Sequence, residues 1–268
     1  MTDITTGLYG NDAQRRLQTV FLASHDAARA TPGAVFAARM PGTDDPDRLG
    51  WNRIAATLRD QGAITFRMIP TDASPEIECR LADIGCEITW WDVFDGPRDA
   101  ILAACDGHLA NPRDDLVRVG PQAAADPGFL EEVQAFMAAC GVAPYPTQVL
   151  SGQTGPATLA VLTDPADGAI AATAFSYFPY NRHSPHHATA WAGLVTVRED
   201  MRKRGVGLHV NALAIKAAVT ELGASRVQQY ARRSNIASCR MIERCGLRLR
   251  PDARSGIAQP AGAQSFTR

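Results

Sequence analysis

Apolar residues along this chain alternate between helical spacing and short unbroken runs, which predicts helices and strands in turn. Residues 11–28 place Ala13, Leu17, Val20, Phe21 and Ala28 on one helical face, and Thr31-Pro32-Gly33 stops that helix. Residues 34–40 read as a short buried strand, and the polar segment 40–50 after them reads as a turn. A helix is predicted over 51–61, with Ile54, Ala55 and Leu58 inward and Gly62 at its end. A strand at 63–69 follows, then a helix over 74–84 begun by Ser74-Pro75-Glu76, then a strand at 86–94 containing the aromatic run ITWWDVF. Residues 96–112 read as a connection with a short helix at 98–109.

The second half continues the alternation. A strand is predicted at 116–119 and a helix over 126–140 with Phe129, Val133, Phe136 and Cys140 on one face. Strands at 157–162 and 168–177 are joined by the turn TDPADG as a hairpin, and an apolar strand fills 188–197. From 206 to 222 the residues Val210, Leu213, Ala214 and Ala217 keep helical spacing; a strand at 226–231 and a helix opened by Asn235 and ended by Gly246 come after. The tail beyond Leu249 is rich in Gly, Pro and Ala, and only residues 263–268 are expected to add a last strand.

The two halves match in spacing. Gly62 and Gly85 stand 23 residues apart, as do Gly223 and Gly246, and 51–94 and 211–249 share the order helix, strand, helix, strand. This reads as an internal repeat. Where the second copy has RKRGVG before its helix, the first has the acidic TDDPDRLG, without paired glycines, so no anion site is expected there. The aromatic strand of the first copy is expected to supply apolar surface against the second half or to close a cleft in it.

Composition narrows the function classes. A length of 268 residues with 46% hydrophobic side chains suits two packed domains or one large one. With 27 basic and 28 acidic side chains the chain is near neutral, which argues against nucleic acid or an anionic membrane as partner. No apolar run reaches the roughly 18 residues of a membrane span, and the N-terminus has no apolar signal core. A cytoplasmic protein is expected. The cysteines at 79, 86, 105, 140, 239 and 245 form no C-x-x-C pair and read as free thiols, with no metal site.

The chemistry concentrates at REDMRKRGVG, where Gly205 and Gly207 stand one residue apart beside Arg202, Lys203 and Arg204, at the start of a helix. A helix start offers unpaired N–H groups and partial positive charge, and glycine lets an anion approach the main chain. Arg202-x-x-Gly205-x-Gly207 resembles the R/Q-x-x-G-x-G/A signature of the GNAT N-acetyltransferase superfamily. The run from Asn235 to Leu247, NIASCRMIERCGL, is similar to that family's N-x-x-A/S-x-x-L/M-Y-x-K/R-x-G-F. The resemblance covers residues 116–268. It implies an α/β fold with a mixed sheet, divided as a degenerate GNAT-like domain at 1–96, a linker at 97–112 and a GNAT domain at 113–268.

The resemblance further implies acetyl-CoA as co-substrate, without metal, and direct attack by a primary amine of a small molecule or peptide. The main chain of Leu194, Val195 and Val197 would pair with the pantetheine amides. Arg202, Lys203, Arg204, Gly205, Val206 and Gly207 would hold the diphosphate, with Asn235 and Ser238 near the thioester arm. The sequence departs from the family at the acid, because Ile242 occupies the position of the usual tyrosine. A leaving thiolate is tolerable near neutral pH, and Tyr230 or Ser238 stand as substitutes. For a base, the segment FSYFPYNRHSPHH offers His183, with His186, His187, Tyr177 and Tyr180 near it. A non-catalytic acyl-CoA-binding or interaction module is the alternative, and a homodimer is left open. A doubly wound nucleotide-binding fold is disfavoured, since the loop lacks the Gly-x-Gly-x-x-Gly order.

Overall fold

Gly62, Gly85, Gly223 and Gly246 have φ of 80°, 70°, 77° and 87°, the left-handed region that glycine alone enters freely. Each stands between a helix and the strand that follows it, so the equal spacing marks equal turns. The computed structural model of the chain describes residues 7–111, 113–124 and 126–263.

Ten strands form one mixed sheet: β1 Ala34–Phe36, β2 Pro41–Thr43, β3 Ile64–Pro70, β4 Cys86–Pro97, β5 Val117–Arg118, β6 Ala157–Thr163, β7 Ile170–Tyr177, β8 Thr189–Val197, β9 Arg226–Ala231 and β10 Arg248–Pro260. Their spatial order is β1-β2-β3-β10-β4-β9-β8-β7-β6-β5. Exchanging β1–β4 for β7–β10 reverses this order about the antiparallel β4–β10 pair without changing it. The directions agree too: β1 and β7 run antiparallel to β2 and β8, while β2 and β8 run parallel to β3 and β9. Each half therefore inserts its last strand into the other's sheet.

Three expectations need correction. The tail after Leu249 is a strand of 13 residues at the middle of the sheet. Pro251 falls where its ladder with β4 is interrupted, between Arg250 and Arg254, so its missing N–H is tolerated. Gly256 lies under Trp90, where a Cβ would come within 2.7 Å of the ring, so the small residue is what the packing needs. Of the expected last strand, 264–268 lie outside the described residues. The segment read as a polar turn contains β2, whose Thr43 is fully buried. The first helix is two, Asp12–Ala23 and His25–Ala30; the first is opened by a capping box between Asn11 and Gln14.

The halves share their cores. Phe21 and Phe36 pack with Val133, Met137, Phe175 and Tyr177, and the helix Arg98–Leu109 buries Ile101 and Cys105 against the helix Val206–Thr220. In the sheet the halves on either side of 97–112 interlock. No helix among the described residues is long and apolar enough to cross a membrane.

Candidate functional site

Strands β8 and β9 begin as parallel neighbours and then separate. Their pairing covers Thr189–Trp191 and Arg226–Gln228 only. On its other edge β8 bulges against β7, and Leu194 at that bulge has φ of 52°. The hydroxyls of Thr173 and Thr196 donate to the Leu194 carbonyl, at 3.4 and 3.1 Å, and hold the bulge in place.

The opening leads into a groove of about 490 Å³ lined by Val195, Thr196, Val197, Arg202, Lys203, Gly205, Gly207, Ser238 and Met241 among others. At its end the helix Val206–Thr220 starts from Gly205, whose φ is 78°. The N–H groups of Val206, Gly207 and Leu208 find no backbone acceptor among the described residues, so this turn can accept an oxyanion. Arg202 and Lys203 line the groove. Arg204 turns away to Asp115 at 3.6 Å, and the Arg113 guanidinium holds the Asp115 carboxyl below the usual range. Asp200 pairs with Arg198 at 2.8 Å. Val206 is buried beneath the turn and contributes main chain only.

A second cavity, of about 620 Å³, opens at the start of the helix Ile236–Arg244. Its walls come from both halves. The first half contributes Arg39, Thr65, Arg67 and Trp91; the second contributes Tyr145, Trp191, Tyr230, Arg232, Asn235, Ser238, Ser255 and Gly256. Asn235 caps the helix Ile236–Arg244 by accepting the Ser238 N–H at 3.1 Å, and that cap fixes where Ser238 stands. Ser238 lines both the groove and the cavity, so it marks their junction.

Tyr230 is in the cavity wall, with its hydroxyl donating to Gln228 at 2.9 Å and lying 3.3 Å from the Tyr180 hydroxyl. His183 is not in that wall. Its loop is tied to the first half: Asn181 Nδ2 donates to the carbonyls of Ala28, Thr31 and Ala34, and Ser184 bonds Asp44. Burial lowers the pKa of the neighbouring His186. Tyr177 is buried behind the cavity with its hydroxyl on the Phe36 carbonyl. Ile242, 2% exposed, is packed under the helix that Asn235 opens.

Sequence reading had the aromatic strand of Trp90 and Trp91 either packing on the second half or closing a cleft, and Trp91 lines this cavity; Arg39, Arg67, Tyr145 and Trp191 were missed. Arg67 had a signal, being the one charged residue inside the apolar run ITFRMI.

Residues 132–247 match the model of the acetyltransferase (GNAT) family. Among solved structures, a GCN5-related N-acetyltransferase from Kribbella flavida is 14% identical with a TM-score of 0.57, covering 92% of this chain and 96% of that one. A GNAT-family protein from Novosphingobium aromaticivorans is 15% identical with a TM-score of 0.53, over 88% and 92% of the two chains. A tandem GNAT protein of the clavulanic acid biosynthesis pathway is 15% identical with a TM-score of 0.52, over 85% and 77%. No curated protein matches the chain in sequence.

Proposed function

We propose that the protein, whose residues 132–247 match the model of the acetyltransferase (GNAT) family, is an acyltransferase that moves an acetyl group from acetyl-CoA to a primary amine. The observation that carries this reading is the junction at Ser238, where a groove with an anion-accepting helix start meets a second cavity. Coenzyme A would lie along the groove, its diphosphate on the main chain of 205–208 beside Arg202 and Lys203, and its pantetheine arm between β8 and β9. The amine would approach from the cavity, attack the thioester carbonyl and release the thiol. We read the acceptor as a small molecule or peptide and the setting as cytoplasmic.

The cavity wall contains no His, Asp or Glu among the described residues. An amine entering beside Arg39, Arg67 and Arg232 is favoured in its neutral, nucleophilic form, because nearby cations disfavour the ammonium. This lowers the demand on a general base. The thiolate leaves next to Ser238, and neither Ser238 nor Tyr230 is held in a relay typical of a committed acid. Ser238→Ala and Tyr230→Phe should each lower kcat by less than the 10² or so at the low end for general acid–base catalysis. A larger loss in Tyr230→Phe, with coenzyme A affinity intact, would make Tyr230 the acid.

The direct test is thiol release from acetyl-CoA with an amine panel. The buried Ile242 favours one rival, a module that binds acyl-CoA without turning it over. Binding with no thiol released by any amine would select that rival. Gly207→Val tests the groove itself. A Cβ there meets only Val197 and Met241, at 3.4 and 3.7 Å, so the fold should survive while coenzyme A affinity falls at least about tenfold, or ~1.4 kcal/mol. Gly205→Val is a poorer probe because its positive φ strains any side chain. Unchanged affinity in calorimetry of folded Gly207→Val would place the cofactor elsewhere.

We read residues 1–96 as a degenerate copy of the GNAT unit, joined through 97–112 to the working copy at 113–268. The matched strand order and the four left-handed glycines support this reading. In the first copy Asp45 caps the short helix Pro46–Leu49 through the Arg48 N–H, so a carboxylate already occupies the place of a bound anion.

A further inference from the structure

Arg67 is 5% exposed, and its Nε and Nη1 are buried with no hydrogen-bond partner among the described residues. No carboxylate pairs with it. Its neighbours are ring faces: Trp191, Tyr230 and Tyr177 lie 5.4, 5.5 and 6.0 Å from the guanidinium carbon. Ring faces offset part of the lost hydration of a buried cation, but they provide no acceptors in the guanidinium plane. The side chain forms part of the wall of the cavity already assigned to the acceptor.

The backbone is bent to put it there. The register of β3 against β10 shifts by one residue beside Arg67, and Met68 has φ of 54°, a conformation unfavourable for methionine. The Met68 N–H leaves the ladder and donates to the buried Ser255 hydroxyl at 3.1 Å. Strain of this kind persists only where surrounding structure enforces it. Arg39 and Arg232 add positive charge to the same wall, which contains no acidic side chain. The cavity thus offers cations and aromatic faces to its occupant, with one cation whose buried Nε and Nη1 lack a protein acceptor.

We propose that Arg67 binds a carboxylate carried by the acceptor, so that the acceptors are amino acids or amino-acid-like compounds rather than plain amines. This rests on the acyl-transfer reading of the same cavity. The carboxylate supplies the missing counter-ion and acceptor oxygens, as guanidinium–carboxylate pairing provides. The aromatic walls cover the rest of the molecule while its amine faces Ser238.

The test compares acids with their neutral counterparts. Full-length protein and acetyl-CoA are assayed with the standard α-amino acids, β-alanine and 4-aminobutyrate, each beside its amide or decarboxylated amine. At least one acid should be acetylated with kcat/KM about thirtyfold or more above its counterpart, the low end for a buried charge pair. Arg67→Gln should bring that ratio close to one, and Arg67→Lys should retain part of it, with coenzyme A affinity preserved in both. The N-acetyl acids and N-acetyl amides are titrated in parallel by tryptophan fluorescence. Acid-selective binding lost in Arg67→Gln supports the anchor even if no thiol is released, a result that would reject only the transfer reading. A preference for neutral amines in the unmodified protein overturns the proposal, and so does the absence of acid binding. It is also overturned if dependence on Arg67 emerges only with succinyl-CoA and neutral amines, which would put the carboxylate on the acyl group. Should Arg67→Gln fail to fold, the preference of the unmodified protein and of Arg67→Lys decides.

Discussion

A chain lacking residues 1–110 is expected to be recovered unfolded or insoluble. Strand β10 lies between β3 and β4, and β4 separates it from β9. The deletion would strip both neighbours from β10 and open an edge of β9, leaving long rows of unpaired backbone groups. It would also remove Phe21 and Phe36 from the cluster around Tyr177, and Ile101 and Cys105 from the cluster around Ile215. Losing each large buried side chain costs about 2–5 kcal/mol, so a few of them already match the whole stability of a domain, about 5–15 kcal/mol. Circular dichroism and sedimentation of the fragment check this. A soluble, monodisperse fragment that binds coenzyme A like the whole protein would show that the halves fold independently and that the shared sheet is incidental.

What the sequence revealed was local. Gly62, Gly85, Gly223 and Gly246 disclose helix ends because only a left-handed turn demands glycine there, and the equal spacing disclosed the repeat before any pairing was known. Gly205, Gly207 and Asn235 were legible for the same reason, since a helix start and a cap are made by neighbours in sequence. What stayed hidden depends on distant partners. Pro251, Ala253 and Gly256 look like a loose tail until β3 and β4 are placed on either side of them. The cavity draws Arg39 and Arg67 from the first half and Trp191 and Tyr230 from the second, and only the interlocked sheet brings them together. The histidine loop pointed the other way: its side chains are chemically apt, but Asn181 and Ser184 tie it to 28–44, away from the cavity wall.

The exchange of strands also explains how a half without the paired glycines of 205–207 is still needed. The second half has the glycine turn at 205–208 and the splayed strands, while the first contributes Arg67 and Trp91 to the cavity that Ser238 also lines. On the proposed function, the chemistry falls to one half and acceptor recognition to both, and the boundary between the halves runs through the β4–β10 pair.

That boundary is fastened by a buried carboxylate. Asp95 on β4 has a side chain only 3% exposed; it accepts Arg226 of β9 at 2.7 Å and Arg250 of β10 at 3.1 Å. Arg226 Nε also donates to it at 2.9 and 3.1 Å, so both oxygens are engaged. It is the point where the first half's last strand is held to both flanking strands of the second. Asp95→Ala should therefore destabilise the protein by about 2–3 kcal/mol, less than the loss of a fully buried pair because both arginines can regain some hydration. For a chain of this size that corresponds to a fall in Tm of about 5–10 °C. Arg226→Ala and Arg250→Ala should each cost less, since Asp95 keeps the other partner, and the three effects should not add. Urea titration of the variants, with coenzyme A affinity measured alongside, gives the comparison. A change within ~0.5 kcal/mol for Asp95→Ala would mean that the strand ladder holds the halves together without this clamp.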